Sequence, residues 1–285
     1  MTTLRIAVQK SGRLNSSSLD FIEKCGISLP KTQSLLKADA YNFPIQLLFL
    51  RDDDIPACVA EGVADAGIVG YNEVAEKNRD VEIVKELGFG KCRLSLAVPK
   101  AFDYQGLSSL NGLKIATSYP HILESFLKKN QVEAHIKEIS GSVEISPSVG
   151  LSDVIFDIVS SGSTLMSNGL KEVEMVMESQ AVLVCQHGIS EEKRNILDQF
   201  VFRINALLEA RNFKYIMFNF PNVQKNAITS IIPGLKSPTI VPLEDGSWSA
   251  LHSVVEEGLF WTKIDALKKA GATDIVILPI EKIIR

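Results

Sequence analysis

The chain has 285 residues, 46% of them hydrophobic and 22% charged, enough to bury a substantial core and to form about two or three domains. A net charge of -4 and the lack of any basic run interleaved with aromatics argue against a nucleic-acid partner, and the four cysteines, Cys25, Cys58, Cys92 and Cys185, are too scattered for a zinc site or a disulfide framework. Met1-Thr2-Thr3-Leu4-Arg5 runs directly into apolar Ile6-Ala7-Val8 and then polar Gln9-Lys10-Ser11, too short for a signal segment or a membrane span, so a cytoplasmic location without a membrane partner is expected.

Apolar strand-like runs then alternate with helical patterns: a strand over Leu4 to Val8, a helix over Leu19 to Cys25, a strand over Ile45 to Leu50, a helix over Ile55 to Glu61 and a strand over Ala66 to Val69. Such alternation predicts a mostly parallel α/β sheet. A second α/β block follows Pro99, with strands over Lys114 to Ala116 and Ala134 to Glu138 and helices over Ile122 to Lys129 and Ser152 to Val159. Leu183 to Gln186 reads as a strand returning to the first block, and Glu191 to Arg211 as a long amphipathic helix with Ile196, Leu197, Phe200, Val201, Ile204, Leu207 and Leu208 on one side. The remainder reads as βαββαβ, a ferredoxin-like tail: strand Tyr215 to Phe220, helix Val223 to Ile231, strands Thr239 to Pro242 and His252 to Glu256, helix Phe260 to Ala270, strand Asp274 to Leu278.

Three segments carry candidate chemistry. In the first, Asp153 to Thr164, a hydroxyl-and-glycine loop (Ser160, Ser161, Gly162, Ser163, Thr164) has the logic of a phosphate cradle, because small residues let backbone N–H groups approach an anion and hydroxyls add donors. The same loop is also an ordinary helix-capping turn. Asp153 and Asp157 are expected to share a helix face, where they can accept from vicinal sugar hydroxyls; carboxylates beside a phosphate loop fit a sugar phosphate or a magnesium ion that neutralises it. The second segment, Gln9 to Leu14, follows a strand end where Lys10 and Arg13 either clamp phosphate or are two solvated cations. In the third, Arg51 to Pro56, helix capping explains the three acids but not a guanidinium at a strand end, suited to bidentate phosphate contact. Beyond it, Gly67 and Gly70 are read as letting a ligand approach the backbone, the alternative being tight strand turns. The four histidines, His121, His135, His187 and His252, have no spacing suited to a metal and are read as structural or surface residues, and Trp248 and Trp261 as core or interface filling.

In order along the chain, VQKSGRL (Val8 to Leu14), RDDDIP (Arg51 to Pro56), DAGIVG (Asp65 to Gly70), GFGKCRLSLAVP (Gly88 to Pro99), KIATSYP (Lys114 to Pro120) and the run from Ile139 to Leu170 resemble ATP phosphoribosyltransferase. PGLKSPTIVPL (Pro233 to Leu243) and LPIEK (Leu278 to Lys282) resemble the regulatory domain of that family's long form. The resemblance implies a two-lobed catalytic core of the periplasmic-binding-protein type, with lobe I over 1–99 and 181–211 and lobe II over 100–180, followed by a ferredoxin-like, ACT-like regulatory domain over 212–285. It further implies that N1 of ATP attacks C1 of phosphoribosyl pyrophosphate and expels pyrophosphate, with Mg2+ carried mainly by the substrate phosphates and no dedicated protein metal site.

On that basis the catalytic candidates are Asp153, Asp157 and Arg51, the two aspartates at the ribose hydroxyls. Ser160 to Thr164 surround the 5-phosphate; Lys10, Arg13, Arg51 and Lys91 serve the pyrophosphate or the ATP triphosphate; Glu144 serves the sugar or magnesium; and Tyr119 either packs on adenine or is structural. Histidine is the implied inhibitor, near Ser237, Thr239 and Ala272, with homo-oligomers running from dimer to hexamer. The competing class is a small-ligand-binding protein of the same two-lobed fold, which the acid-plus-hydroxyl loop disfavours. A dead paralogue is expected to have lost Arg51 or Asp157, and both are present.

Overall fold

The computed structural model describes residues 2–30 and 36–285, so Met1 of the opening segment lies outside the description. The first lobe is built from β1 (Leu4–Gln9), α1 (Arg13–Lys24), β2 (Lys37–Asp39), β3 (Ile45–Leu50), α2 (Ile55–Ala60), β4 (Ala66–Gly70), α3 (Tyr71–Lys77) and β5 (Glu82–Glu86). The second is built from β6 (Cys92–Pro99), β7 (Lys114–Thr117), α4 (Pro120–Lys129), β8 (His135–Glu138), β9 (Val154–Val159), α5 (Ser163–Ser167) and β10 (Leu170–Ser179). The chain then returns to the first lobe as β11 (Ala181–Cys185) and enters α6 (Glu191–Ala210).

The first sheet has the order β2-β3-β1-β4-β11-β5, with β1 parallel to β3 and β4 and β11 antiparallel to both of its neighbours. Its central strands are apolar on both faces because helices cover both; Ile6, Ala7, Val8, Ile68 and Leu183 have no solvent exposure. Gly67 owes its identity to this packing. A Cβ built there meets Ile55 Cγ2 at 2.7 Å and Val59 Cγ2 at 3.1 Å, so the missing side chain seats α2 on β4 and serves helix packing, correcting the ligand-approach reading. At the opposite end of the sheet Asp65 accepts from Arg5 N (2.8 Å), Arg5 Nη2 (2.8 Å) and Lys193 Nζ (2.8 Å), tying β1, β4 and the start of α6 together. Burial alone would raise this carboxyl; the hydrogen bonds from Arg5 and Lys193 outweigh burial and hold it below the usual range.

The second sheet has the order β10-β6-β9-β7-β8. β6 therefore belongs to this sheet, whereas the sequence reading put residues 92–99 in the first lobe. The segment expected as a helix over Ser152 to Val159 is strand β9, antiparallel to β6 and parallel to β7. Val154, Ile155 and Phe156 are fully buried, and a short apolar run of that kind carries no period that separates a buried helix from a strand. The two lobes are joined at adjacent crossings, residues 87–91 and Gln180, stitched by Leu87 N to Ala181 O (3.0 Å) and Ala181 N to Phe89 O (2.9 Å).

A second compact unit spans Phe200–Arg285. It contains β12 (Phe213–Pro221), α7 (Lys225–Ile231), β13 (Thr239–Pro242), β14 (Trp248–Glu256), α8 (Glu257–Lys269) and β15 (Thr273–Pro279), with sheet order β13-β14-β12-β15. This is the ferredoxin-like arrangement. Ile216, Phe218, Phe220, Leu251 and Val255 pack with Ile228 of α7 and with Phe260 and Leu267 of α8. Among the described residues no helix is long and apolar enough to cross a membrane.

Gly67→Ala should lower stability by about 1 to 3 kcal/mol, the usual cost of forcing extra volume into a packed contact. Chemical denaturation checks this; an unchanged midpoint would show that α2 yields freely.

Candidate active site

The loop after β9 forms the wall of a cavity of about 220 Å³ lined by Arg13, Glu144, Asp157 and residues 158–165. Gly162 takes φ 79°, a left-handed conformation that costs other residues energy, and so turns the chain from the strand into α5. Ser161 Oγ lies 2.9 Å from Ser163 Oγ and accepts from Ser163 N at 3.4 Å; Met166 N reaches back to Gly162 O at 3.1 Å. With only five residues α5 contributes little dipole, so the anion-seeking groups are the loop amides and the hydroxyls of Ser160, Ser161, Ser163 and Thr164. Arg93, which the sequence reading did not single out, braces this loop. Its Nη1 donates to Ser160 O at 3.2 Å while its Nε and Nη2 bind Glu172, which also accepts from Ser95 Oγ at 2.7 Å.

Asp157 lies near the C-terminal end of β9, with Oδ1 accepting from Ile158 N at 2.8 Å. Burial, reinforced by nearby Glu144 and offset by that backbone bond, raises its carboxyl to about 6. Glu144 sits on the turn Val143–Ile145 and lines the same cavity. Asp153 does not join them. It precedes β9 at the other end of the strand, roughly 13 Å away at strand rise, and its Oδ2 accepts from Lys114 N at 2.8 Å. The shared helix face is thereby corrected, and Asp153 anchors the start of β7 against β9.

On the first lobe, the parallel register of β1 and β3 sets Gln9 beside Leu50, so Lys10 and Arg51 emerge side by side at the carboxyl ends of neighbouring strands. Arg51 is 76% exposed and pairs with Asp53 at 3.1 Å; Arg13 opens α1 and lines the loop cavity. Lys91 is elsewhere, at the hinge, on a separate cavity of about 620 Å³ with Tyr71, Cys92 and Gln180. It is not brought to the phosphate loop.

A buried polar cluster was invisible to motif reading. Glu73 Oε1 accepts from Tyr119 OH (3.1 Å) and Asn72 Nδ2 (2.9 Å), and burial, with Asp52 and Asp53 nearby, lifts this carboxyl to about 7. Tyr119, the proposed adenine neighbour, has its hydroxyl tied into this cluster and its phenol pushed well above the usual value by burial and by Glu73. Gln9 donates to Asp52 at 3.2 Å and leaves its own Oε1 buried without a partner. The signal that points to these groups is three-dimensional burial, which a single sequence does not display.

In the tail, Ser237 and Thr239 line a cavity of about 650 Å³ together with Tyr215, His252 and Arg285, and Tyr215 OH lies 3.0 Å from His252 Nδ1. Ala272 packs in the tail core and does not line that cavity. Among the described residues no group of three or more His, Cys, Asp or Glu side chains converges to hold a metal ion.

Comparison with known proteins bears directly on this arrangement. The sequence model of the HisG family, ATP phosphoribosyltransferase, matches residues 51–206, and that of the HisG C-terminal domain matches residues 210–282. The ATP phosphoribosyltransferase of Cytophaga hutchinsonii is 54% identical over 284 residues, covering 100% of this chain and 99% of the relative. That of Bacteroides thetaiotaomicron is 54% identical over 281 residues, covering 99% of each. Among solved structures, the ATP phosphoribosyl transferase (HisG:HisZ) complex from Thermotoga maritima superposes with a TM-score of 0.60 at 25% identity, over 71% of this chain and 98% of that one. With both family models matched in order and the relatives aligned from end to end, the chain belongs to the ATP phosphoribosyltransferase family.

Proposed function

We propose that the family's reaction, the first step of histidine biosynthesis, takes place in the cleft between the two lobes of the catalytic core. One observation carries this: Arg13 of the first lobe and Asp157, Glu144 and the 160–164 loop of the second line a single cavity that combines phosphate donors with carboxylates. The loop amides and the hydroxyls of Ser160, Ser161, Ser163 and Thr164 hold the 5-phosphate of phosphoribosyl pyrophosphate. Asp157 and Glu144 accept from the ribose hydroxyls. Lys10, Arg13 and Arg51, at the ends of the first-lobe elements, take the pyrophosphate or the ATP triphosphate. Asp153 and Lys91 have no part in this assignment.

The bond forms when the N1 lone pair of adenine adds to C1 as the C1–O bond breaks and its electron pair leaves on pyrophosphate. N1 carries no proton, so no base is required at that step, and the task is alignment plus stabilisation of positive charge on the sugar. Alignment alone can supply about 7 to 11 kcal/mol. An ionised Asp157 beside the ribose adds the electrostatic part. Magnesium is proposed to travel on the substrates' phosphate oxygens, which suit a hard cation that keeps part of its water shell. Substrates of this kind support a cytoplasmic location.

The tail is proposed to bind histidine, with Ser237 and Thr239 at the cavity shared with Tyr215 and His252. A regulatory role in the same chain fits the match of the C-terminal family model to residues 210–282. Assembly into dimers and hexamers is proposed on the family resemblance.

Asp157→Ala should lower kcat on the order of 100-fold or more, the scale for removing one preorganised electrostatic partner, with circular dichroism unchanged; wild-type turnover would remove Asp157 from the site. Because burial holds this carboxyl at about 6, its active ionised form is lost as pH falls through that value, so kcat/KM of the wild type should decline below pH 6. In Asp157→Asn the residual activity should lack that decline, which a pH series read by product absorbance decides. Thr239→Arg, which fills the tail cavity, should raise the histidine concentration for half-inhibition roughly tenfold, within the usual range of allosteric coupling. Unaltered inhibition would move the effector elsewhere.

A further inference from the structure

Helix α3 of the first lobe bonds to one junction of the second lobe at two levels. At its first turn, Tyr119 OH donates to Glu73 Oε1 at 3.1 Å and accepts from Asn72 Nδ2 at 3.3 Å. Asn72 is itself fixed, since Ser179 Oγ donates to Asn72 Oδ1 at 2.8 Å and accepts from Asn72 N at 3.0 Å. One turn later the Glu76 carboxylate accepts from His121 N and Ile122 N, both at 3.0 Å, and so caps the opening amides of α4. Tyr119 immediately precedes α4, so both levels grip the β7–α4 junction.

A glutamate at the third position of a helix ordinarily stays near its own first turn, where the dipole favours its charge. Here α3 has no side-chain cap, and Glu73 accepts both from Asn72 of its own first turn and from Tyr119 of the other lobe. The junction it holds is rigidly coupled to the reacting end of the second lobe, because β7 pairs in parallel with β9 up to Thr117 and Phe156, one residue before Asp157. No part of the reaction described above uses Glu73.

We propose that Glu73 is a positioning residue for the transfer: through Tyr119 and Asn72 it fixes the β7–α4 junction against the first lobe, and so sets Asp157 and the phosphate loop at working distance from Arg13. This rests on the assignment of the reaction to the interlobe cleft. The charged and titratable groups around Glu73 are Asp52 and Asp53 from the turn after β3, Lys77 on α3 itself and Tyr119 from the second lobe, with Asp157 facing Tyr119 in turn.

The test compares Glu73→Leu, Glu73→Gln, Tyr119→Phe and the Leu/Phe double variant in the full chain, assayed with ATP, phosphoribosyl pyrophosphate and magnesium. Glu73→Leu and Tyr119→Phe should each lower kcat roughly 10- to 100-fold, the scale of a small misalignment, and the double variant should be no worse than the poorer single one. Glutamine keeps an acceptor for Tyr119, so Glu73→Gln should rescue kcat. A folded-state carboxyl raised to about 7 destabilises the protein progressively as pH climbs from the unfolded value near 4.5, so Glu73→Gln should melt above the wild type at pH 8 and close to it at pH 5.

Wild-type kcat in Glu73→Leu, multiplicative losses in the double variant, or Glu73→Gln as impaired as Glu73→Leu would each overturn the proposal. If Glu73→Leu does not fold, Tyr119→Phe carries the kcat test and Glu73→Gln the pH test. A strongly impaired Asp157→Asn beside a fully active Glu73→Leu sinks this inference alone, whereas wild-type turnover in Asp157→Asn sinks the cleft assignment beneath it.

Discussion

Among the described residues the backbone passes between the two lobes at residues 87–91 and at Gln180, two crossings lying side by side and hydrogen-bonded to each other. A pair of adjacent strands makes a hinge. It fixes where the lobes meet but leaves their opening angle to side-chain contacts, and most of the assigned site depends on that angle, because Arg13 comes from one lobe while Asp157 and the 160–164 loop come from the other. The side chains that oppose opening are concentrated on α3. Glu76 caps α4, Glu73 and Asn72 hold Tyr119, and Ser179, the last residue before Gln180, locks Asn72. The hinge and the latch are thus connected through one serine. Buried hydrogen bonds of this kind contribute little net stability in exchange for water, but breaking one partner leaves another unsatisfied, which makes the arrangement more selective for one angle than strong in total.

What could be read from the sequence follows from where the determinants lie along the chain. The first strands, α2, the long α6 and the ferredoxin-like tail were legible because their apolar period is local and their ends carry Pro56, Gly70 or charge at expected places. The phosphate loop was legible because five small or hydroxylic residues stand together. Local pattern alone misplaces Asp157: a helix over Ser152 to Val159 aligns it with Asp153, although the β-branched content of Val154 to Val159 favours a strand. On a strand the two carboxylates sit at opposite ends, so one reaches the cavity and the other pairs with the amide of Lys114. Arg93, Glu73 and Asn72 were not legible because their partners, Glu172, Tyr119 and Ser179, lie far away in sequence and only the fold brings them together. Gly67 failed for a related reason: a glycine needed under a helix looks the same in sequence as one needed beside a ligand.

The same two-lobed architecture serves both capture and chemistry, so the distinction must come from the charges in the cleft. A protein that only captures a sugar polyphosphate gains from donors and cations, and each carboxylate nearby costs it affinity. In the proposed site the donors of the 160–164 loop and the Arg13 guanidinium share one cavity with the carboxyl groups of Glu144 and Asp157. Such acids are unfavourable for the bound ground state and become favourable only when positive charge develops at C1 and on adenine. An interaction that is weak or repulsive in the ground state and attractive in the transition state raises turnover rather than tightening binding. Burial sharpens this bias. It disfavours the ionised Asp157 carboxyl until positive charge develops beside it, which is why that carboxyl is raised to about 6. Under the proposed assignment, a binding protein of the same shape would have no reason to keep such a carboxyl beside its phosphate donors.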